Sequence, residues 1–119
     1  MRRLRALRPR TVRAAWWGWK AAGSARQELR VGPVDRLKLP PAPPIGPDAE
    51  RGVAFALRRR RATCLESALV RQAMLAARGV RREVVIGVAR PAGAFRAHAW
   101  LEGDAVDGRF TELVRRPHG

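Results

Sequence analysis

Three residues of this chain have the types and placement to perform nucleophilic acyl chemistry together: Cys64, His98 and Asp107. Cys64 is the only cysteine. It lies inside Thr63-Cys64-Leu65-Glu66, an S/T-x-x-E pattern that reads as a helix capping box. With Thr63 as the N-cap, Cys64 becomes the first helical residue. The unpaired N–H groups there, and the positive end of the helix dipole, favour a sulfur anion by about 0.3–1 kcal/mol at an exposed site. A lone cysteine in a small protein can also be an inert core residue; its position at a helix start is what argues for chemistry.

His98 falls in an alternating stretch, Phe95 to Glu102, which places Phe95, Ala97, Ala99 and Leu101 on one face of a strand and Arg96, His98, Trp100 and Glu102 on the other. Gly103-Asp104 fits a two-residue hairpin loop leading into Ala105, Val106 and Asp107. That register pairs Glu102 with Ala105, Leu101 with Val106 and Trp100 with Asp107. Asp107 then becomes a diagonal neighbour of His98, roughly 7–8 Å away between Cβ atoms or somewhat less. In this arrangement Asp107 orients the imidazole and the other ring nitrogen takes the thiol proton. Asp104, in the turn and pointing to solvent, and Glu102, at the hairpin tip, are the weaker third members. The competing reading makes His98 a surface histidine on a half-buried sheet. One cysteine and two histidines, one of them His118 in the tail, do not form a plausible zinc set. With no glycine-rich phosphate loop in view, no metal or cofactor is expected.

The elements that must position these groups follow from periodicity. From Thr11, read as an N-cap, the apolar residues Val12, Ala15, Trp16 and Trp19 recur at helical spacing, predicting an amphipathic helix to about Arg30 whose tryptophan stripe packs on the rest of the domain. Between Val31 and Pro47 lie six of the nine prolines, which predicts an extended linker or surface strap. Asp48 is placed to cap a second helix to about Leu57 that presents Val53, Ala54 and Leu57 to a core. The run Arg58 to Arg61 follows, and most of it is expected to be solvated. A third helix begins at the capping box, lines Leu65, Ala68, Leu69, Gln72, Leu75 and Ala76 along one face, and stops at Gly79. Glu83 to Ala89 is β-branched and apolar on both faces, as in a central strand. Pro91-Ala92-Gly93 then marks a turn.

The expected fold is α+β, with N-terminal helices packed on a small antiparallel sheet. Residues 1–30 form a helical segment, 31–47 a proline-rich connection and 48–119 the core, all within one compact domain, since 119 residues are too few for two.

The chain carries a net charge of +15, nearly all of it from dispersed arginines. Such a field draws acidic partners and is weakened by salt. It leaves open a second function class, a non-catalytic arginine-rich module for nucleic acid or an acidic protein, which would bind with a steep salt dependence and without need of Cys64. No apolar run of signal-peptide or membrane-spanning length is seen, and a single cysteine permits no internal disulfide, so a reducing cytoplasm is the expected location.

The stretches Thr63-Cys64-Leu65-Glu66-Ser67-Ala68-Leu69, Arg78-Gly79-Val80, Glu83-Val84-Val85-Ile86-Gly87-Val88 and Ala97-His98-Ala99-Trp100-Leu101-Glu102 resemble the leader peptidases of lasso-peptide biosynthesis, the protease halves of the lasso B proteins, over residues 48–113. The resemblance implies a transglutaminase-like, papain-like core with its cysteine at a helix start, and a triad mapping onto Cys64, His98 and Asp107. It also implies hydrolysis of one peptide bond in a ribosomally made precursor. The partners implied are a small leader-recognition protein, the precursor itself and a separate ATP-dependent cyclase. The link between His98 and Asp107 is shorter, and the arginine run before Cys64 denser, than the family pattern. Acyl transfer to an amine, as in the wider transglutaminase superfamily, is the related alternative.

Overall fold

The computed structural model describes residues 8–33, 36–89, 96–105, 108 and 110–117. Its elements are α1 (Pro9–Val31), α2 (Glu50–Arg59), α3 (Cys64–Ala76), β1 (Val84–Ala89), β2 (Arg96–Leu101) and β3 (Thr111–Arg116). Three helices precede a three-stranded antiparallel sheet of order β2-β1-β3, which is the α+β architecture expected.

α1 starts three residues earlier than predicted. Pro9 opens it, since its fixed φ suits the first turn and its missing N–H would have had no partner there. Thr11 is therefore a buried helical residue and not a cap. The buried face is also a different one. It is lined by Ala14, Trp17, Gly18, Ala21, Ala22 and Ala25, whereas the predicted stripe is exposed, with Val12 at 49%, Trp16 at 62% and Trp19 at 42%. The reason lies in α2. A Cβ added at Gly52 would sit 2.3 Å from the Thr11 carbonyl oxygen, and one at Gly18 would sit 3.2 Å from the Val53 Cα. Two helices this close need small residues at the seam, which the tryptophans cannot supply.

The paired positions advance together, Gly52 at Thr11 and Ala15, Val53 and Ala56 at Gly18, Arg60 at Gly23, so α1 and α2 run parallel. The connection must therefore travel back along α1 by about 30 Å. Extended chain covers about 3 Å per residue, so residues 32–49 are sufficient and a proline-rich strap suits the task. The Trp17 indole N–H donates to the Pro40 carbonyl at 3.1 Å, and Leu37 and Ile45 of the strap are buried. α2 is preceded by Ala49 without any side-chain cap, so Asp48 does not fill the predicted role, and Ala54 is exposed while Val53, Ala56 and Leu57 are buried.

α3 forms as read, with both halves of the Thr63–Glu66 capping box in place; beyond its C-cap at Ala77, Gly79 turns the chain at φ 85°. It is buried on two faces. Val70 and Met74 join the cluster of Ala14, Trp17, Ile45 and Val53, while Ala68 and Leu69 join Leu37, Val84, Ala99 and Leu101. The helix thus wedges the α1–α2 layer apart from the sheet. Buried Gln72 locks it to the strands, donating to the carbonyls of Arg82 (2.9 Å) and Arg116 (3.0 Å) and accepting from the Arg116 guanidinium.

The second arm of the predicted hairpin, Val106 and Asp107, lies outside the described residues. β1 is central as expected, but the strand that follows β2 in the chain, β3, lies on the far side of β1. At the end of β2 both backbone groups of Leu101 are used by Asp104. Its N–H donates to the Leu101 carbonyl at 2.9 Å, and its carboxylate accepts the Leu101 N–H at 3.1 Å. Arg71 of α3 grips the same carboxylate with two bonds of 2.9 and 3.0 Å. These bonds close a turn directly after Leu101, where β2 ends. Phe95, His118 and the Pro91-Ala92-Gly93 turn also lie outside the described residues.

Candidate functional site

Cys64 is exposed at the first position of α3. The Glu66 N–H donates to Thr63 Oγ1 at 3.1 Å and the Ser67 N–H to the Thr63 carbonyl at 2.9 Å. The N–H groups of Cys64 and Leu65 are thereby the ones a helix start leaves without an intrahelical acceptor, and they are donors for an anion formed at the sulfur or beside it.

The start is held from three directions. The Glu66 carboxylate accepts the Thr63 N–H at 2.9 Å, and it is paired with Arg26 of α1 through two bonds of 3.2 Å. Arg26 also donates to the Arg60 carbonyl at 2.9 Å, so one guanidinium ties α1 to both the end of α2 and the first turn of α3. Burial alone would push the Glu66 carboxyl up, yet the bonds from Arg26 and the Thr63 N–H outweigh it and hold the group below the usual glutamate range.

His98 is half-buried on β2, opposite Gly87 of β1. Its ring stacks on Trp100 at 5.7 Å between centroids and meets Phe110 at 5.2 Å. Gly87 makes this cluster possible. A Cβ there would stand 2.7 Å from a Trp100 ring carbon and 2.9 Å from the Thr111 carbonyl oxygen, and the ladder between β1 and β3 shifts register at this point. Gly87, Phe110, Arg26 and Arg71 all escape a reading of the sequence. Gly87 left the one usable signal, a lone glycine interrupting a β-branched strand.

The Arg71 and Gln72 anchors fix the second half of α3 at the end of the sheet that holds Val84, Leu101 and Arg116. Stepping back from Gln72 to Cys64 along a helix covers about 12 Å, and from Leu101 to His98 along a strand about 10 Å. The first half of α3 shares a cluster with β1 and β2 through Leu65, Ala68, Ile86 and Ala99. The thiol and the imidazole are not joined directly. Alternation turns Ala99 and Leu101 toward α3 and His98 toward Gly87 and Trp100, and among the described residues no hydrogen bond links the Cys64 thiol to the His98 ring. Both acids weighed against Asp107 are taken up by arginines. Asp104 bonds Arg71, whose hydrogen bonds chiefly hold its carboxyl below the usual range, and Glu102 pairs with Arg115 at 3.1 Å.

A wedge helix with an exposed cysteine at its start rests on an antiparallel sheet whose second strand in chain order carries a histidine. The model of the transglutaminase-like superfamily matches residues 4–115, and the chain belongs to that superfamily. Membership fits a cysteine-protease or acyltransferase type of function. No curated relative and no solved structure matches the chain.

Proposed function

We propose that the protein is a cysteine peptidase that removes the leader from a ribosomally made lasso-peptide precursor, with Cys64 as nucleophile, His98 as general base and acid, and Asp107 as the carboxylate that orients the ring. The observation that carries the reading is an exposed thiol at the first position of a capping-box helix in a chain of the transglutaminase-like superfamily. The resemblance of the Cys64, Gly79, β1 and His98 segments to lasso leader peptidases supplies the substrate class. The engagement of Asp104 and Glu102 by arginines supports Asp107 as third member.

The Cys64 thiol gives its proton to His98, and the sulfur attacks the scissile carbonyl carbon. The oxyanion faces the N–H groups of Cys64 and Leu65. His98 hands the proton to the departing amine, the new N-terminus of the core peptide. Water, deprotonated by the same ring, then opens the thioester, releasing the leader as a carboxylate and restoring the thiol. Because His98 turns away from the face that meets α3, this sequence of steps requires substrate binding to bring the ring and the thiol together. A leader-recognition protein presents the precursor, and an ATP-dependent cyclase consumes the freed amine.

The test is mass spectrometry of precursor plus recognition protein with wild type, Cys64→Ala and Asp107→Asn, alongside iodoacetamide alkylation of Cys64 in wild type and His98→Ala. Leader release is expected from wild type alone at full rate, and slower alkylation near neutral pH from His98→Ala. Persistent release by Cys64→Ala would end the mechanism. A product mass showing an amine adduct in place of the free leader would redirect it to acyl transfer.

A further inference from the structure

The exposed side of α1 has no role in the chemistry above. At 3.6 residues per turn, Val12, Trp16, Trp19, Lys20 and Arg30 fall on one stripe, with Arg13 beside it, and all are exposed. The two large rings stand in solvent, Trp16 at 62% and Trp19 at 42% exposure. Each has a cation over it: Lys20 Nζ lies 5.8 Å from the Trp16 ring and the Arg60 guanidinium 4.7 Å from the Trp19 ring, with Arg60 also donating to the Trp19 carbonyl at 3.3 Å. From Pro9 to Gln27 the helix contains no acidic residue, and the cations on or beside the stripe extend from Arg13 to Arg30 over about 26 Å.

We propose that this stripe seats the protein on an anionic lipid surface, with α1 lying in the plane of the headgroups. Three features select a bilayer over an acidic protein. The charge is spread along the whole helix, which suits a plane of phosphates more than one localised acidic patch. The surface is the convex side of a helix and offers no cleft to receive a partner's side chain. Tryptophan and cation sit together at each site, so a ring can enter the carbonyl layer while its cation stays with the phosphates. No helix among the described residues is long and apolar enough to cross a membrane, so the attachment is peripheral.

The full chain is mixed with vesicles of phosphatidylcholine, or of phosphatidylcholine and phosphatidylglycerol, and binding is read by flotation and tryptophan emission. The rings are exposed, so Trp16→Ser/Trp19→Ser folds, and a circular dichroism melt verifies it. The expected result is binding to the anionic vesicles only, weakened by added salt, with a blue shift of emission, and at least about tenfold weaker binding by the double variant. Binding unchanged in the double variant would mean charge alone is at work and would overturn the proposal. So would an absence of vesicle binding, including the case in which soluble poly-L-glutamate binds with the same dependence on the two rings, the result that would assign the face to an acidic protein.

Discussion

Replacing Gly87 by alanine tests whether the histidine cluster is positioned by the strand beneath it. The new Cβ would lie 2.7 Å and 3.0 Å from two Trp100 ring carbons and 2.9 Å from the Thr111 carbonyl oxygen, where ordinary van der Waals contact begins near 3.4 Å. One neighbour is backbone and the other a ring stacked on His98, so neither yields cheaply. Overpacking of this kind costs about 1–3 kcal/mol, and clashes on two sides place Gly87→Ala in the upper half, about 2–3 kcal/mol. Unfolding entropy near 2.1 cal/mol/K per residue over 119 residues converts each kcal/mol to about 4 °C, for a fall in Tm of about 8–12 °C. Gly32→Ala is the control. Nothing lies within 4 Å of its Cβ position and its backbone is extended, so its Tm should stay within about 2 °C of wild type. Differential scanning calorimetry gives both values. NMR of the His98 ring, whose shifts carry the ring currents of Trp100 and Phe110, reports whether the imidazole has moved. A displacement near 1 Å would lower leader release about 100-fold. If Gly87→Ala melts with wild type and leaves the His98 signals in place, β1 does not hold the ring and the argument from close approach is wrong.

Thr63→Ala removes the acceptor of the Glu66 N–H at the start of α3 and should cost about 1 kcal/mol, or about 4 °C in Tm by circular dichroism, with no loss if the box is ornamental. Asp104→Asn tests the grip of Arg71 at the other end of the site. Because those hydrogen bonds hold the folded carboxyl below its unfolded value, the stabilisation is complete above the unfolded carboxyl's pKa of about 3.9 and disappears as pH falls through the lower folded value. The pair is part-exposed, so after solvent screening the difference in Tm from wild type should be about 4 °C near neutrality. It should close as pH falls below the unfolded carboxyl's value, and a difference that is unchanged in acid would refute the assignment.

Short-range signals were legible in the sequence and long-range ones were not. The capping box fixed Thr63, Cys64 and Glu66 because all its partners lie within four residues, and β1 was legible as central because it is apolar on both faces. The strand that carries His98 was likewise readable from its alternation. The buried side of α1 was misread because apolar residues need not be inside. A seam that requires Ala14, Gly18, Ala21 and Ala22 against α2 leaves Trp16 and Trp19 outside, and nothing in the helix's own sequence announces that α2 is coming. Gly103-Asp104 is a sound turn signal, and Arg71, thirty-three residues away, grips Asp104 where the turn closes on Leu101; that β3 pairs with the far edge of β1 is a long-range choice that no local pattern announces. Of the neighbours of His98, Trp100 shares its face by alternation and was legible, whereas Phe110 meets the ring from twelve residues further on and was not.

The α1 layer sets the charge at the start of α3. Glu66 stands two residues from Cys64, and an unpaired carboxylate there would oppose a second anion at the sulfur. The Arg26 guanidinium cancels that charge across two bonds, while the Thr63 N–H takes up one of the same oxygens. What remains at the exposed helix start is the field of the N–H groups of Cys64 and Leu65. Arg26 can reach Glu66 because α1 packs against α3 along Val70 and Met74, and it holds the Arg60 carbonyl at the same time. The contacts that bury α1 therefore also compensate the one carboxylate in the first turn of α3, so that the charge beside Cys64 is neutralised.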